Sequence, residues 1–323
     1  MSGPGTAPTE DQADLPLSVV MVTWNSAKVA GECLRSLLTT LPAGTYELIV
    51  VDNGSIDGTV DLVRLVAPEA RIITNRDNRG LAAANNQGLA VAAGRAVLIC
   101  NPDTRFAEGA VGAMRDLLAR HDRAGWVVPR LIDGDGSLLT SAGAAPSLVE
   151  TLLGRQIRRL RSRGEASGFW WDGWAHDEER IIGRGHEAAY LVRAEAVRQV
   201  GDQDERYRLD WEGIDWSDRF ARSGWETWLA PDAEVVHLGG DSIRQVPWRW
   251  VVSQHRGMYL YFADRSRPVW RPLLAVAFAS RAAGKMAALA AGLPMYAWSH
   301  SFGGHRFPLA SRRSDRGGVQ HGG

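Results

Sequence analysis

The sequence is short of several things. It has two cysteines in 323 residues, Cys33 and Cys100, both in apolar surroundings. That argues against a disulfide-stapled scaffold and for buried free thiols in a reducing compartment. It has no net charge, because Lys+Arg 37 balances Asp+Glu 37. General nucleic-acid binders carry a basic excess, so no nucleic-acid partner is expected. It lacks an uninterrupted apolar run of about 20 residues, the length a spanning helix needs. Two apolar stretches, 271–280 and 286–298, are separated by Arg281 and Lys285. They read as core helices or as helices lying on a membrane surface. Residues 1–16, MSGPGTAPTEDQADLP, have no charged-then-apolar layout, so no signal peptide is expected there. They read as a disordered tail, as do residues 311–323. No repeat of fixed period is present. The remainder is ordinary: 45% hydrophobic and 23% charged residues. That suits one large α/β domain with appendages.

From residue 17 onward, short β-branched runs alternate with segments of helical spacing. Strands are expected at 17–23, 46–52, 71–74 and 95–100, and helices over 26–40, 57–66, 80–93 and 108–120. This alternation predicts an α/β fold with a mostly parallel, Rossmann-like central sheet flanked by helices. After Trp126 the rhythm changes. A hairpin is expected around Asp133-Gly134-Asp135-Gly136. An irregular stretch follows at 146–185, with an arginine cluster at 155–163 and Trp170, Trp171 and Trp174. HEAAYLVRAEAVRQVG reads as strand then helix, DWEGIDWSDRFARSGW as a helix stopped by Gly224, and EVVHLGG as a strand ending on His237. Helices are expected from Trp248. The domain reading is a main domain at 17–245, split into a nucleotide-binding half (17–125) and an acceptor half (126–245). A helical extension follows at 246–310.

In a parallel sheet the ligand crevice lies beyond the carboxyl ends of the strands. Here those ends carry Thr23-Trp24-Asn25, Asp52-Asn53-Gly54-Ser55, residues 75–80 and Asn101-Pro102-Asp103. Pro102 stiffens its turn and would hold Asp103 at the crevice mouth. A carboxylate there can hold Mg2+ or Mn2+ together with substrate phosphates. The plainer alternative is an Asx turn capping the helix that begins near Ala107. Asp52 could accept a hydrogen bond from the imide N–H of a uracil or thymine ring. Asp57 reads as a helix cap.

Seven stretches, VTWN, VVDNGSIDGT, NRGLAAANNQGL, ICNPDT, AAYLVRAEAV, WEGIDWSDRFARSGW and VVHLGGDS, together resemble the family 2 glycosyltransferases of the GT-A fold. Within that family the resemblance is to the rhamnosyltransferase-like group of bacterial polysaccharide enzymes, and it covers roughly residues 17–243. It implies inverting transfer of a sugar from a nucleotide diphosphate donor, with dTDP-rhamnose favoured, to a glycan or lipid-linked acceptor. It implies Mg2+ or Mn2+ held by a DXD-like motif, here Asn101-Pro102-Asp103, with Asp103 as the carboxylate ligand and His237 joining the metal or diphosphate site. Asp52 is implied at the nucleotide base. Thr23, Asn25, Asn53, Asn78, Gly80 and Asn101 are implied around the nucleotide.

Inversion needs a base that takes the acceptor's proton. Many relatives read Glu-Asp-x-Asp where this chain has WEGIDW, and the first Asp of that pattern is their base. This chain has Gly213 there. Glu212 and Asp215 remain, three apart at a helix start, and the expectation leans to Asp215. Its alternative is an i,i+4 ion pair with Arg219, and that of Glu212 is a favourable charge on a helix N-terminus. Trp211 is expected near the acceptor. The arginine cluster would suit a lipid pyrophosphate or an anionic membrane surface. The expected location is cytoplasmic, with peripheral contact at the inner face of the cell membrane. Two other classes are weighed. A sugar-phosphate nucleotidyltransferase usually opens with a Gly-rich basic loop, where this chain has TWNSAK. A non-enzymatic nucleotide-sugar binder is kept open by Gly213.

Overall fold

The computed structural model describes residues 17–153, 171, 174–239 and 247–292. The expected tails, the arginine cluster at 155–163, Trp170, the Asp241-Ser242 end of the VVHLGGDS motif and the distal part of the helical extension lie outside the described residues.

Strand β1 (Leu17–Thr23) is buried along its whole length. It pairs in parallel with β2 (Tyr46–Asp52) on one side and with β4 (Ala96–Cys100) on the other, and β3 (Arg71–Thr74) extends the sheet in parallel from β2. The register sets Thr23 opposite Asp52 and Asp52 opposite Thr74. Three polar strand ends therefore reach one rim. Side chains alternate faces along each strand. Leu17, Val19 and Met21 pack with Leu34 and Leu37 of α1 (Ala30–Thr40), Val63 of α2 (Thr59–Val66) and Met114 of α4 (Ala110–Arg120). Val20 and Val22 face the other way, toward Ala84 of α3 (Leu81–Leu89). α3 lies close on the sheet because position 88 is glycine: a Cβ there would stand 2.3 Å from Val20 Cγ1.

The first four helices begin one to four residues later than the spacing suggests. Ser26 O takes the N–H groups of Val29 and Ala30 before α1. Gly58 and Gly80, both at positive φ, precede α2 and α3.

Beyond β4 the mostly parallel sheet admits antiparallel strands. β10 (Ala189–Arg193) runs antiparallel to β4, with Ala189 opposite Cys100, and antiparallel to β6 (Ala124–Ile132). β11 (Glu226–His237) pairs in parallel with β6 and antiparallel with β5 (Thr104–Phe106) and β8 (Arg180–Ile182). The order is β3-β2-β1-β4-β10-β6-β11-β5, with β8 alongside β11. The short strands β7 (Ala142–Gly143) and β9 (Arg184–Gly185) pair with each other as a separate antiparallel ribbon. The reversal at β10 matters because an antiparallel strand begins where its neighbour ends. Residues just before β10 thus emerge at the same rim as residues just after β4.

α6 (Ala194–Val200) and α7 (Glu212–Arg222) cover the second half of the sheet, with Trp216 and Phe220 set edge-on against Trp126. Gly224, at φ +86°, follows the end of α7. The hairpin after β6 forms as expected: Asp133 Oδ1 takes the N–H groups of Asp135 and Ser137, each at 2.9 Å. Trp171 and Trp174 lie against the Arg180 guanidinium, 5.4 and 5.2 Å from their ring centres.

The C-terminal extension is a helix pair, α8 (Pro247–Asp264) and α9 (Arg271–Ala290), joined through a single 3-10 turn. Tyr207, Trp211, Ile214, Met258, Phe262 and Phe278 form a third core cluster that docks this pair on the head of α7. Trp211 is 3% exposed and packs closely enough that a Cβ on Gly257 would meet its own Cβ at 2.8 Å. Trp211, expected near the acceptor, is part of this core. By length and composition alone, Pro268–Ala290 could cross a bilayer. Two of its charges, Arg281 and Lys285, turn inward. Lys285 is buried and donates to Gln254 at 3.1 Å. Arg281 donates at 3.3 Å to Leu152 O in the short helix α5 (Leu148–Leu153). Leu273 and Val276 face outward.

Candidate active site

The rim formed by the ends of β1, β2 and β3 is knitted by side-chain amides and hydroxyls. Thr23 Oγ1 donates to Asp52 Oδ1 at 3.0 Å, and the Ser55 N–H donates to Asp52 Oδ2 at 3.0 Å. This holds the Asp52 carboxylate in one orientation while each oxygen keeps acceptor capacity. Asn25, at φ +49°, accepts from the Ile56 N–H through Oδ1. Asp57 accepts from the Thr59 N–H at the first turn of α2, as a capping residue does.

Asn53 is buried, and its amide is spent on the next loop. Its Nδ2 donates to Asn78 Oδ1 and Gly80 O, and its Oδ1 accepts from Asn75 Nδ2 and the Arg79 N–H. Asn78 Oδ1 also takes the Gly80 N–H. Asn53 and Asn78 thus shape the wall of the crevice through loop 75–80. Gly80, at φ +96°, lies where a Cβ would stand 3.0 Å from Arg208 O. It lets that loop abut the 205–210 segment.

At the end of β4 the Asn101-Pro102-Asp103 turn is closed by Thr104 Oγ1 donating to Asn101 O at 2.8 Å. Buried Cys33 and Cys100 flank it as free thiols. The Asp103 carboxylate is 14% exposed and lies 3.5 Å from His237 Nε2 at the end of β11. Its buried Oδ1 is the atom that faces His237. Burial works to raise the Asp103 pKa, but attraction to His237 and, more weakly, to His186 outweighs it and holds the carboxyl below its ordinary range. The His186 ring stands edge-on to that of His237, centres 5.2 Å apart. Among the described residues no three His, Cys, Asp or Glu side chains converge as a metal group. The pair nevertheless fits a divalent ion that completes its shell with phosphate oxygens: one carboxylate and one imidazole, side by side at the crevice rim.

The head of α7 holds the two carboxylates expected as base, in opposite settings. Asp215 is clamped: Arg219 Nε donates to Oδ2 at 2.9 Å and Arg265 Nη2 to Oδ1 at 2.9 Å. The preference for Asp215 as base is revised, because both of its oxygens are engaged by guanidinium groups in a structural ion pair. Glu212 is 1% exposed, with Oε2 lacking a partner. Burial first, then the nearby Glu187 and Asp210, pushes its pKa well up.

The residue that sequence reasoning missed is Glu187. It lies just before β10, beside His186. Ala188 O accepts from the Asn101 N–H at 2.8 Å, which ties this segment to the metal-side turn. Glu187 Oε2 accepts from the Gly213 N–H at 3.2 Å. Burial, then repulsion from Asp210, pushes its pKa up to about 7 against the pull of Arg184. One signal was available in the sequence: a glycine where a functional side chain belongs invites a search for another group in that space.

Comparison with known proteins agrees with this geometry. Residues 18–175 match the family described as Glycosyl transferase family 2. The N-acetylglucosaminyl-diphospho-decaprenol L-rhamnosyltransferase of Mycobacterium tuberculosis is 31% identical over 269 residues, spanning 79% of this chain and 86% of that one. The chain belongs to glycosyltransferase family 2. The GT-A fold of this glycosyltransferase is shared by solved structures of low identity. A Pyrobaculum calidifontis mannosyltransferase, solved with GDP-Man and Mn2+, aligns with TM-score 0.53 at 19% identity, over 91% of this chain and 81% of that one. GalNAc-T7, solved with UDP, GalNAc and Mn2+, aligns with TM-score 0.52 at 16% identity, over 69% of this chain and 44% of that one.

Proposed function

We propose that this glycosyltransferase moves a sugar from a nucleoside diphosphate to a hydroxyl of a lipid-linked glycan, with inversion and with Mg2+ or Mn2+. One observation carries the reading: the Asp103 carboxylate, 14% exposed and 3.5 Å from His237 Nε2, at the rim where the polar strand ends meet. Asp103 and His237 would hold the ion. When bound, it supplies positive charge against the departing diphosphate. Asp52, oriented by Thr23 and Ser55, accepts from the imide N–H of a thymine or uracil base. Asn25 and Asn101 border the same opening, and Asn53, Asn78 and Gly80 hold its wall. The name of the Mycobacterium tuberculosis relative supports rhamnose as the sugar and a polyprenyl-diphosphate glycan as the acceptor. On this reading the donor is dTDP-rhamnose.

An acceptor anchored in lipid brings the enzyme to a membrane, here the inner, cytoplasmic face. The outward side of α9 supports this. It presents Leu273, Val276, Ala279 and Ala283 to solvent, while the helix's Lys285 is buried. A cytosolic surface helix ordinarily has the opposite arrangement. A helix of this kind suits docking on a membrane surface.

The experiment is a transfer assay with dTDP-rhamnose and a polyprenyl-diphosphate N-acetylglucosamine acceptor. Mn2+ or Mg2+ is expected to support turnover, chelation to abolish it, and Asp103→Ala to reduce it at least ~100-fold. Release of pyrophosphate rather than nucleoside diphosphate, or full activity in Asp103→Ala, overturns the proposal.

A further inference from the structure

We infer that Glu187 is the catalytic base of this enzyme, its carboxylate occupying the space that a side chain at position 213 would fill. The inference rests on the glycosyltransferase reading and names a residue for its proton transfer.

The geometry is specific. A Cβ built on Gly213 would stand 2.2 Å from Glu187 Cδ and 2.5 Å from Oε2. A carboxyl carbon on an aspartate at 213 would lie about one C–C bond, ~1.5 Å, beyond that Cβ. The Glu187 carboxyl group therefore fills the shell that an aspartate carboxylate at 213 would claim. The two cannot coexist, so Gly213 is required by Glu187 rather than being a loss. The carboxylate comes from the opposite wall of the same volume: from the start of β10 instead of the head of α7.

Its neighbours join it to the chemistry. His186, the preceding residue, stacks edge-on against His237. Ala188, the following one, bonds to Asn101. The Gly213 N–H orients Oε2. Facing the carboxylate are Arg184 from its own segment, Asp210 and Glu212 at the head of α7, and Tyr190 on β10. Glu212 is 1% exposed, whereas Glu187 is half-buried. Asp215 has a guanidinium donating to each of its oxygens, whereas Glu187 Oε2 is oriented by a neutral backbone N–H.

In the step, the acceptor O–H bond breaks and its proton passes to the Glu187 carboxylate. The acceptor oxygen bonds to the anomeric carbon. The bond from that carbon to the diphosphate oxygen breaks, and its electron pair leaves with the diphosphate. The proton returns to water after product departs.

The test uses the full chain and four variants: E187Q, G213D, the exchange E187G/G213D, and D103A. Transfer is measured beside thermal stabilisation by dTDP with Mn2+, which needs no base. The amide oxygen introduced by E187Q can still accept from the Gly213 N–H, so this variant keeps that contact and loses only proton acceptance. E187Q is expected to lose at least ~100-fold in turnover while keeping its stabilisation by dTDP. D103A is expected to lose both. G213D, with two carboxylates forced into one space, is expected to melt lower than wild type. The exchange variant is expected to regain turnover at least ~10-fold above E187Q, because the carboxylate is restored from the other backbone. E187Q turning over within about threefold of wild type overturns the assignment and leaves the transfer reading intact. A folded, dTDP-stabilised exchange variant no faster than E187Q also overturns it. Wild type that is stabilised by dTDP yet inert with every donor overturns the transfer reading, and the assignment with it.

Discussion

Asp215 and Glu187 show how surroundings decide what a carboxylate can do. Asp215, 8% exposed at its side chain, spends both oxygens on Arg219 and Arg265. It holds α7 to the end of α8. Asp215→Asn is expected to cost about 2 kcal/mol of stability, since hydrogen bonds to charged groups contribute roughly 1.5–3 kcal/mol. Turnover of the folded fraction should stay within a few-fold of wild type, read by denaturant melts and by transfer per folded molecule. Two histidines have the opposite problem. His176 and His255 are buried, and burial, first among their causes, lowers each pKa to about 4. Both are neutral in the fold and titrate near 6.5 in the unfolded chain. Between those values the unfolded chain binds protons that the fold refuses, so stability falls as pH drops through that window. His255→Gln is expected to shrink the loss between pH 7 and pH 5 by about 2 kcal/mol. Melts at the two pH values check this, and an unchanged slope would count against it.

At the scale of elements, β10 and α9 each do something their own residues do not announce. β10 reads locally as a buried strand, and it is one. Its direction against β4 is what carries His186 and Glu187 to the rim. α9 reads as an apolar helix interrupted by charge. Its rotation about its own axis turns Arg281 and Lys285 toward α5 and α8 and leaves Leu273 and Val276, 60% and 63% exposed, outside. Leu273→Glu with Val276→Glu is expected to lower binding to anionic phospholipid vesicles severalfold, by removing apolar contact and adding like charge. Because both positions are exposed, stability should move by no more than about 0.5 kcal/mol each. Sedimentation with vesicles, beside thermal melts, reads both effects; vesicle binding equal to wild type would exclude this face as the contact.

At the scale of the whole molecule, ligand binding should appear as stability. A nucleoside diphosphate with Mn2+ held only by the folded state adds about 2.7 kcal/mol at a hundredfold excess over its dissociation constant. For a chain of this size that is a rise of about 4 °C in Tm. The rise should need nucleotide and metal together and should vanish in Asp103→Ala. A shift of equal size with Mn2+ alone would mean that the ion binds elsewhere.

The first four strands, the polar stops at Thr23, Asp52 and Asn101, the cap at Asp57 and the turn at Asp133 were legible along the chain. Each rests on local physics: β-branched sterics, alternation between two faces, a proline-stiffened turn, a side chain bonding its own neighbourhood. The candidate metal carboxylate was legible for the same reason, since strand ends in such a sheet share a rim. What the sequence by itself determined, then, was the list of segments and the polar groups at their tips. Only the tertiary structure decided that Glu187 fills the space above Gly213, that Asp215 is clamped and that Trp211 is core. Those outcomes depend on the antiparallel entry of β10 and the docking of α8 and α9. Such pairings join residues far apart in the chain, and many weak contacts summed over whole surfaces select them, not the preference of any one segment.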